Sequence, residues 1–128
     1  MQILGIGVDM IANLRIKKSI KNINFLNRIF TKSEILNSKK KNNPVAFLSK
    51  RFAAKEAFSK ALGTGFRNGL SFTDISITNN KIGKPSIKLN KKITTMIKKK
   101  FRVKNIYIFL SISDEKKHSI AFVIIGQK

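Results

Sequence analysis

The sequence contains no cysteine and only one histidine, and each shortage removes a class of functional site. Without cysteine the chain forms neither disulfides nor thiolate metal sites, which fits a reducing environment, so we expect a cytoplasmic protein. With His118 as its single histidine, the chain also lacks the ligands for a metal site built from several imidazoles.

Long hydrophobic runs are missing too. No apolar run approaches the roughly 20 residues that a membrane helix needs, so we expect no membrane span. The chain passes directly into the apolar segment 3–7 without a basic leader, so we expect no signal peptide. At 128 residues with 42% hydrophobic content, the sequence predicts a single domain over residues 1–128 with one core.

Acidic residues are scarce: six carboxylates stand against 27 lysines and arginines, for a formal charge of +21. So basic a surface attracts polyanions, whether nucleic acid, membrane headgroups or an acidic protein. A compositional bias towards lysine, isoleucine and asparagine explains the same excess, so the charge permits an acidic partner without requiring nucleic acid. The scarcity makes each acid informative; the six are Asp9, Glu34, Glu56, Asp74, Asp114 and Glu115.

The first third of the chain predicts one strand and two short helices. Residues 3–11 are typical of a buried strand, and residues 14–23 have the spacing of a basic helix. Thr31 and Glu34 have capping-box spacing, which predicts a further helix ending within residues 38–43. That cap accounts for Glu34 without any catalysis.

The most regular segment is residues 45–62, a long helix opened by Pro44 and stopped by Gly63-Thr64-Gly65. Strands, a helix and a closing hairpin are predicted after it at 72–78, 86–89, 90–100, 106–113 and 119–125. This order predicts an α+β fold: a single domain with one mainly antiparallel sheet packed against a long central helix.

Asp9 ends a strand that should be buried. A carboxylate there must be hydrogen-bonded, paired or bound to a cation, because the unpaired burial of its charge is prohibitive. A cap for the helix that follows is the structural alternative.

Glu56 lies on the long helix, which is apolar on nearly every side and is therefore predicted to be central. Glu56 and Lys60 share a narrow polar stripe, and Arg51 and Lys55 form a second one. On a central helix these charges should meet something other than bulk water. An ordinary ion pair along the helix, worth roughly 0.3 kcal/mol, explains Glu56 and Lys60. Two carboxylates with lysines nearby also suit Mg²⁺ and a polyphosphate, so both interpretations stay open.

Motifs over nearly the whole chain match one family. Gly5-Ile6-Gly7-Val8-Asp9 is similar to an opening Gly-Ile-Gly-x-Asp strand, and residues 51–65, RFAAKEAFSKALGTG, are similar to a central signature almost residue for residue. Further matches, in the same order, are Phe25 with Arg28-Ile29, Gly69-Leu70-Ser71-Phe72, Gly83-Lys84-Pro85 and Ser111-Ile112-Ser113. Together they resemble the holo-[acyl-carrier-protein] synthase family, the small type of 4′-phosphopantetheinyl transferase.

The resemblance implies a Mg²⁺-dependent enzyme that moves 4′-phosphopantetheine from coenzyme A to a serine of apo acyl carrier protein for fatty acid biosynthesis. It implies that Asp9 and Glu56 bind Mg²⁺ with the coenzyme A pyrophosphate and that Lys60 contacts phosphate. Contacts with coenzyme A are implied for Arg51, Lys60, Gly63, Gly65, Lys84, Pro85, Ser111 and Ser113.

Family members are homotrimers with active sites between subunits, where an early basic helix receives the acidic carrier. Arg15 matches the carrier-binding arginine of the family, and Lys18 and Lys21 lie on the helix after it.

Two stretches depart from the family pattern. Where many members have His after Ser-x-Ser, this chain has Asp114, as in a branch that reads Asp-Glu-Arg-His-Tyr-Ala; residues 114–119 read Asp-Glu-Lys-Lys-His-Ser. His118 therefore inherits no role and is expected to be a solvated hairpin side chain. Ala12 and Asn13 replace an acid and an aliphatic residue, which raises the question of whether a third carboxylate supports the metal.

The implied mechanism has the carrier serine attack the β-phosphorus, with 3′,5′-ADP leaving and Glu56, through a bound water, as the base. The rival interpretation is a small basic nucleic-acid-binding protein, which rests on charge. Most phenylalanines lie at core spacing rather than in surface stacking motifs, and the rival leaves Asp9 and Glu56 without a purpose. We therefore expect no specific nucleic acid partner.

Overall fold

The computed structural model describes residues 1–67 and 69–128, and these residues form five strands, five α-helices and a short 3₁₀ turn, Phe72–Asp74. The strands are β1 Gln2–Ala12, β2 Ile75–Asn79, β3 Pro85–Leu89, β4 Tyr107–Asp114 and β5 His118–Gln127. The helices are α1 Asn13–Ser19, α2 Ile23–Ile29, α3 Lys32–Lys39, α4 Pro44–Leu62 and α5 Lys91–Phe101. The predicted α+β class is confirmed.

In the described residues the strands form two antiparallel sheets, so the prediction of one sheet is wrong. β5 lies between β1 and β4 in a three-stranded sheet, and β2 pairs with β3 in a separate hairpin. The alternation of a strand indicates which of its faces is buried but not which strand lies beside it, and that is why the pattern could not separate the sheets.

The long helix α4 packs on the inner face of the three-stranded sheet, as predicted. Asn43 caps its start by accepting a hydrogen bond from the Ala46 N–H, Pro44 opens its first turn, and Gly63 ends it in the left-handed conformation at φ 81°. Its Ala57 and Phe58 are fully buried, as is Val123 on β5. Although α4 has 19 residues, no helix of residues 1–67 or 69–128 is both long and apolar enough to cross a membrane.

The single helix predicted over residues 14–23 is wrong. α1 ends at Ser19, and a new helix, α2, begins at Ile23 because the Asn22 side chain accepts hydrogen bonds from the backbone N–H groups of Asn24 and Phe25. An internal N-cap breaks a helix even where the apolar spacing continues.

The strand predicted from residue 72 begins instead at Ile75. Asp74 accepts a hydrogen bond from the Ser71 N–H at 2.9 Å and closes the 3₁₀ turn that precedes it. Local capping by a short polar side chain thus displaces the start of the strand.

Glu34 and Lys55 form a buried pair that ties α3 to α4. Glu34 completes the predicted capping box with Thr31, and its Oε1 also accepts a hydrogen bond from Lys55 Nζ at 2.6 Å. Its other oxygen accepts from the Ile77 N–H of β2, and Lys55 donates to the Ile29 carbonyl of α2. The prediction that the charges of α4 meet something other than bulk water is confirmed for Lys55 and Arg51, which are buried, and wrong for Lys60, whose side chain is exposed.

Candidate active site

Asp9 is positioned by a very close contact between β1 and α4. A Cβ atom added at Gly5 would lie 1.9 Å from the Ala61 carbonyl oxygen, and one at Gly7 would lie 1.9 Å from that of Ala57. Only glycine lets the strand come this near the helix. Because side chains alternate along a strand, Asp9 follows the two glycines on the same face and points towards α4.

Lys60 reaches across from α4 to β1. Its Nζ donates hydrogen bonds to Asp9 Oδ1 at 3.1 Å and to the Val8 carbonyl at 3.0 Å. The ion pair along the helix considered for Glu56 and Lys60 is not formed: among the described residues, Glu56 makes no salt bridge within 4.0 Å. The side chain of Asp9 is 16% exposed and that of Lys60 is 53% exposed, so the pair faces an open site.

Glu56 is half-buried and lies within the electrostatic reach of Asp9. Burial raises the pKa of the Glu56 carboxyl above its ordinary value, and the negative charge of Asp9 raises it further. The positive charges of Lys60 and Arg15 act in the opposite direction. Two carboxylates that repel each other beside an open face are a favourable position for a divalent cation.

The site supplies two acids rather than three. No group of three or more His, Cys, Asp or Glu side chains that could hold a metal ion occurs in the described part of the chain. Ala12, at the end of β1, stands where the family commonly has an acid, so water or substrate oxygens would have to complete the coordination of a hard cation here.

The predicted glycines Gly63 and Gly65 lie at the end of α4 that carries Lys60. The Gly63 N–H donates to the Lys60 carbonyl at 3.0 Å, and the Gly65 N–H donates to the Ser59 carbonyl at 3.3 Å. Both glycines have positive φ angles, 81° and 65°, so the turn that leaves the helix depends on them.

Arg51 lies about 1.4 turns before Glu56 on α4 and is held in a defined position. Its guanidinium carbon is 3.5 Å from the centre of the Phe47 ring, and its Nη2 donates to Asn79 Oδ1 at 2.7 Å. Burial lowers its pKa to about 10, although Glu34 acts against that shift. Its Nε is buried without a hydrogen-bond partner among the described residues.

A cavity of about 1050 Å³ opens beside Arg51. Pro85, one of the predicted coenzyme A contacts, lies on its wall, and Lys41 and Lys50 contribute further positive charge. Lys84 is exposed in the turn that leads into β3, where its N–H donates to Asn80 Oδ1 at 2.8 Å. The cavity is thus basic on the side of α4, is bordered by the β2–β3 hairpin and is open to solvent.

Ser111 and Ser113 lie on the other face of the three-stranded sheet. They pair with Phe122 and Ile120 of β5, which are exposed, whereas Asp9 pairs with the buried Ala121. Within one chain the sheet therefore separates these two serines from Asp9 and Glu56. The predicted site residues fall into two groups that a single chain does not bring together.

The predicted carrier-binding residues Arg15, Lys18 and Lys21 are all exposed. Arg15 and Lys18 lie on α1, but Lys21 lies in the turn after it, so its predicted place on the same helix is wrong. The Arg15 guanidinium is 5.8 Å from the centre of the Phe52 ring. Arg15 therefore stands beside α4, near enough to lower the pKa of Glu56.

The hairpin between β4 and β5 carries His118, whose side chain is 48% exposed and lies 2.9 Å from Glu115 Oε1. The expectation of a solvated hairpin histidine is confirmed.

Sequence reasoning missed Lys41, Lys50 and Asn79 on the cavity, because many similar residues are scattered through the chain. It also gave no structural role to Asn13, although the polar residue at an aliphatic position was a usable signal.

The fold and the paired acids define a class of protein that comparison with known sequences identifies. The family model of the 4′-phosphopantetheinyl transferase superfamily matches residues 5–123, and the chain belongs to this superfamily. It is similar over its full length to the holo-[acyl-carrier-protein] synthase of Pelagibacter ubique, with 58% identity over 128 residues and 100% of each chain covered. The holo-[acyl-carrier-protein] synthase of Clostridium tetani is 46% identical over 124 residues, which are 96% of this chain and 95% of the relative.

Solved structures of the same kind share the fold. The holo-[acyl-carrier-protein] synthase of Neisseria meningitidis aligns with a TM-score of 0.87 and 37% identity over 98% of this chain and 99% of that chain. The synthase of Bacillus anthracis in complex with CoA (3′,5′-ADP) aligns with a TM-score of 0.82 and 34% identity over 100% of both chains. The resemblance to the holo-[acyl-carrier-protein] synthases is confirmed.

Proposed function

We propose that this protein transfers 4′-phosphopantetheine from coenzyme A to a serine of apo acyl carrier protein, giving holo carrier protein and 3′,5′-ADP for fatty acid biosynthesis. The observation that carries the proposal is the meeting of Asp9, Glu56 and Lys60 at the contact of β1 with α4. The full-length similarity to holo-[acyl-carrier-protein] synthases supports it.

Asp9 and Glu56 fit the requirements of Mg²⁺, which commonly takes one or two carboxylates together with substrate phosphates and water. Their mutual repulsion, which raises the pKa of Glu56, is relieved when a cation lies between them. We assign these two residues as its ligands; when bound, magnesium neutralises charge on the pyrophosphate. Lys60 has a flexible and largely exposed side chain, which allows its ammonium group to turn from Asp9 to a phosphate oxygen.

The reaction forms a bond between the carrier serine oxygen and the β-phosphorus of coenzyme A. The bond from that phosphorus to the bridging oxygen breaks, and 3′,5′-ADP leaves with the electron pair. Glu56, through a bound water, accepts the serine proton, and Lys60 balances the charge of the phosphoryl oxygens. Positioning and charge stabilisation supply most of the rate in transfers of this type.

The basic cavity beside Arg51 suits a phosphate-bearing part of coenzyme A. Arg51 is fixed by Phe47 and Asn79 and keeps a buried Nε without a partner among the described residues. Pro85 lines the same cavity and Lys84 precedes it in the chain, and Gly63 and Gly65 offer a turn beside Lys60. We assign these residues, with Ser111 and Ser113, to coenzyme A binding.

A homotrimer with sites between subunits would bring the two groups of residues together. The outer face of the sheet, which carries Ser111 and Ser113, exposes large apolar side chains, and a contiguous apolar patch of this kind marks an interaction surface. Its exposed members include Ile6, Val8, Met10, Phe109, Ile120 and Phe122. For a site to form between subunits, a second copy on this face would have to bring its own Asp9 and Glu56 to the serines of the first.

The exposed cations Arg15, Lys18 and Lys21 are assigned to the carrier. Arg15 stands beside Glu56, so an acidic carrier docked there presents its serine near the acids. The charge of +21 would steer the carrier at long range, and the KM for the carrier should therefore rise with salt more than the KM for coenzyme A. We propose the cytoplasm as the compartment, as the cysteine-free composition predicts.

The deciding experiment incubates the protein with coenzyme A, Mg²⁺ and apo carrier protein and reads the mass of the carrier, with and without EDTA. A gain of one phosphopantetheine group that EDTA abolishes supports the proposal. Tight binding of DNA without any gain in mass would favour the nucleic-acid-binding alternative instead, which the charge of +21 keeps open. Binding of coenzyme A without transfer would indicate a non-catalytic relative.

A further inference from the structure

Asn13 makes four hydrogen bonds with the β4–β5 hairpin. Its backbone N–H donates to the Lys117 carbonyl at 2.8 Å, and its side-chain amide donates to the carbonyls of Glu115 and Lys116, both at 3.2 Å. Its Oδ1 accepts a hydrogen bond from the Ser119 hydroxyl at 2.8 Å. Three consecutive carbonyls of the hairpin turn thus bind one residue that lies more than 100 positions earlier.

The two side chains of this network are buried and fully used. Asn13 is 9% exposed and Ser119 is 0% exposed. Both amide hydrogens of Asn13 and its oxygen have partners, so the network carries no unpaired polar group from the Asn13 side chain. A satisfied buried network of this kind specifies one arrangement, because every alternative leaves a polar group unpaired.

Asn13 and Ser119 are also among the positions at which this chain departs from the pattern of the family that it resembles. Asn13 stands in place of an aliphatic residue, and Ser119 stands where the Asp-Glu-Arg-His-Tyr-Ala branch has alanine. The two polar replacements hydrogen-bond each other, so they are halves of one feature rather than independent changes.

The strand pairing alone does not hold the turn in place. The β1–β5 ladder ends at Ala12 opposite His118, and the β4–β5 ladder ends at Asp114 opposite Ser119. Residues 115–117 lie beyond both ladders. Inside the turn the Glu115 N–H donates to the His118 carbonyl at 2.9 Å. Among the described residues outside the hairpin, Asn13 is the one whose hydrogen bonds tie residues 115–117 to the rest of the molecule.

We propose that Asn13 and Ser119 form a positioning clamp that holds the β4–β5 hairpin against the start of α1, so that Ser113 and Asp114 keep one geometry relative to Arg15. Asn13 is the first residue of α1, two positions before Arg15, and Ser113 and Asp114 end β4 on the other side of the clamp. Asp114 also borders the large cavity, and both residues line a recess of about 230 Å³ at the hairpin. The clamp rests on the proposed function, because it joins the proposed coenzyme A contacts to the proposed carrier contact.

The sharpest test is Asn13→Asp, which keeps the side-chain volume but turns an oxygen towards the carbonyls of Glu115 and Lys116. Hydrogen exchange of the amides of Glu115 and Lys117 should accelerate about 10-fold, while amides of α4 stay protected. In the transfer assay the KM for coenzyme A should rise about 3- to 10-fold with little change in kcat. Asn13→Leu should behave similarly, and Ser119→Ala more weakly.

The paired variant Asn13→Leu/Ser119→Ala restores the apolar character common in the family. Its KM for coenzyme A should rise by less than the product of the fold-changes measured for the two single variants. Asn90→Ala is the control, because it removes an asparagine side chain that caps the start of a different helix, α5, and should lower thermal stability without moving the KM for coenzyme A.

An unchanged KM in all the Asn13 variants, with only a lower melting temperature, would reduce Asn13 to a structural residue and overturn the proposal. Unchanged exchange of the hairpin amides would overturn it as well. Exchange needs no turnover, so it decides whether the clamp exists even if the wild-type protein fails to modify a carrier; that failure would count against the proposed function alone.

Discussion

At the scale of single residues, the six carboxylates divide into those that build the structure and those that lack a structural use. Glu34 completes a capping box with Thr31 and accepts a hydrogen bond from Lys55, and Asp74 closes the turn before β2. Glu115 accepts a hydrogen bond from the Lys117 N–H in the β4–β5 hairpin, and Asp114 ends β4. Asp9 and Glu56 are left as a pair, and the charge of Asp9 adds to the effect of burial in raising the pKa of Glu56. A protein gains no stability from that repulsion, which favours a ligand that requires both acids.

Glu56→Gln tests the assignment of the proton acceptor. The amide cannot accept the serine proton and is a poorer ligand for a hard cation, so kcat should fall about 100-fold or more at saturating Mg²⁺. Turnover is measured from the mass of the carrier. Asp74→Asn is the control, since it makes the same chemical change outside the site and should leave turnover near that of the wild type. Near-full turnover of Glu56→Gln would refute the role.

The acids themselves could be identified from the sequence, whereas their partners could not. Helical spacing favoured an ion pair of Lys60 with Glu56, but Lys60 bonds Asp9 on β1 instead. Spacing describes neighbours along one helix, and a contact between distant segments depends on how closely they pack. Only the family resemblance predicted that Asp9 and Glu56 meet.

At the scale of elements, the site depends on the contact of β1 with α4, and the glycines of β1 make that contact possible. Gly7→Ala would place a methyl group against the Ala57 carbonyl, so the strand must move away and carry Asp9 with it. We expect a loss of about 3 kcal/mol in the free energy of unfolding together with a large loss of transfer. Both are measured on the same preparation, by chemical denaturation and by carrier mass.

Gly126→Ala is the matched control for that change. The added Cβ atom would lie 3.0 Å from the Met1 sulfur, which belongs to a flexible side chain, and 3.2 Å from the Gln2 carbonyl oxygen, which needs only a small shift compared with the 1.9 Å contact at Gly7. Stability and transfer should both stay near the wild-type values. If Gly7→Ala were as mild as Gly126→Ala, the close packing of β1 on α4 would not be what positions Asp9.

The buried pair between α3 and α4 leads to a prediction about stability. Glu34→Gln leaves the Lys55 ammonium buried without its counter-charge, which should cost about 3–5 kcal/mol of unfolding free energy. Burial already holds the pKa of Lys55 below its ordinary value, and Glu34 is the main influence that opposes this shift. Denaturant titration of Glu34→Gln, Lys55→Met and the double variant Glu34→Gln/Lys55→Met gives the coupling free energy between the two side chains. The double variant should be more stable than the sum of the single losses predicts, and strict additivity would contradict the pair.

The bounds of an element could be predicted where a residue in the element itself marks them. They could not be predicted where they depend on hydrogen bonds or strand pairing that the spacing of apolar residues does not describe. Pro44 and Gly63 marked the two ends of α4 correctly. The break at Asn22 was missed because the apolar spacing runs through it, and only the capping hydrogen bonds select two helices over one. The separation of the β2–β3 hairpin from the main sheet depends on strand edges, which a period of two does not describe.

At the scale of the whole molecule, one sheet has to serve two purposes. Its inner face packs on α4 and supports the acids, and its outer face presents an apolar surface on which Ser111 and Ser113 lie. A monomer would leave that surface in water and the proposed coenzyme A contacts divided between two faces. Association of identical chains over this face would remove both difficulties, and this is the physical reason for favouring a homotrimer over a monomer.

Phe122→Lys tests this proposal, because Phe122 lies on the middle strand of the exposed face and is 40% exposed in the single chain. A lysine at this exposed position should not disturb the fold of the single chain, but it should disrupt an apolar contact between subunits. Native mass spectrometry should therefore show a trimer for the wild type and monomers for the variant. The circular dichroism spectrum should be unchanged. Transfer should fall together with assembly and recover partly at high protein concentration.

Ile82→Lys is the control. It makes a comparable apolar-to-lysine exchange at a side chain that is 89% exposed in the β2–β3 turn, away from the three-stranded sheet, and it should leave the assembly mass and the transfer rate unchanged. A Phe122→Lys monomer with full activity would show that one chain holds a complete site, and Ser111 and Ser113 would then have to be removed from it.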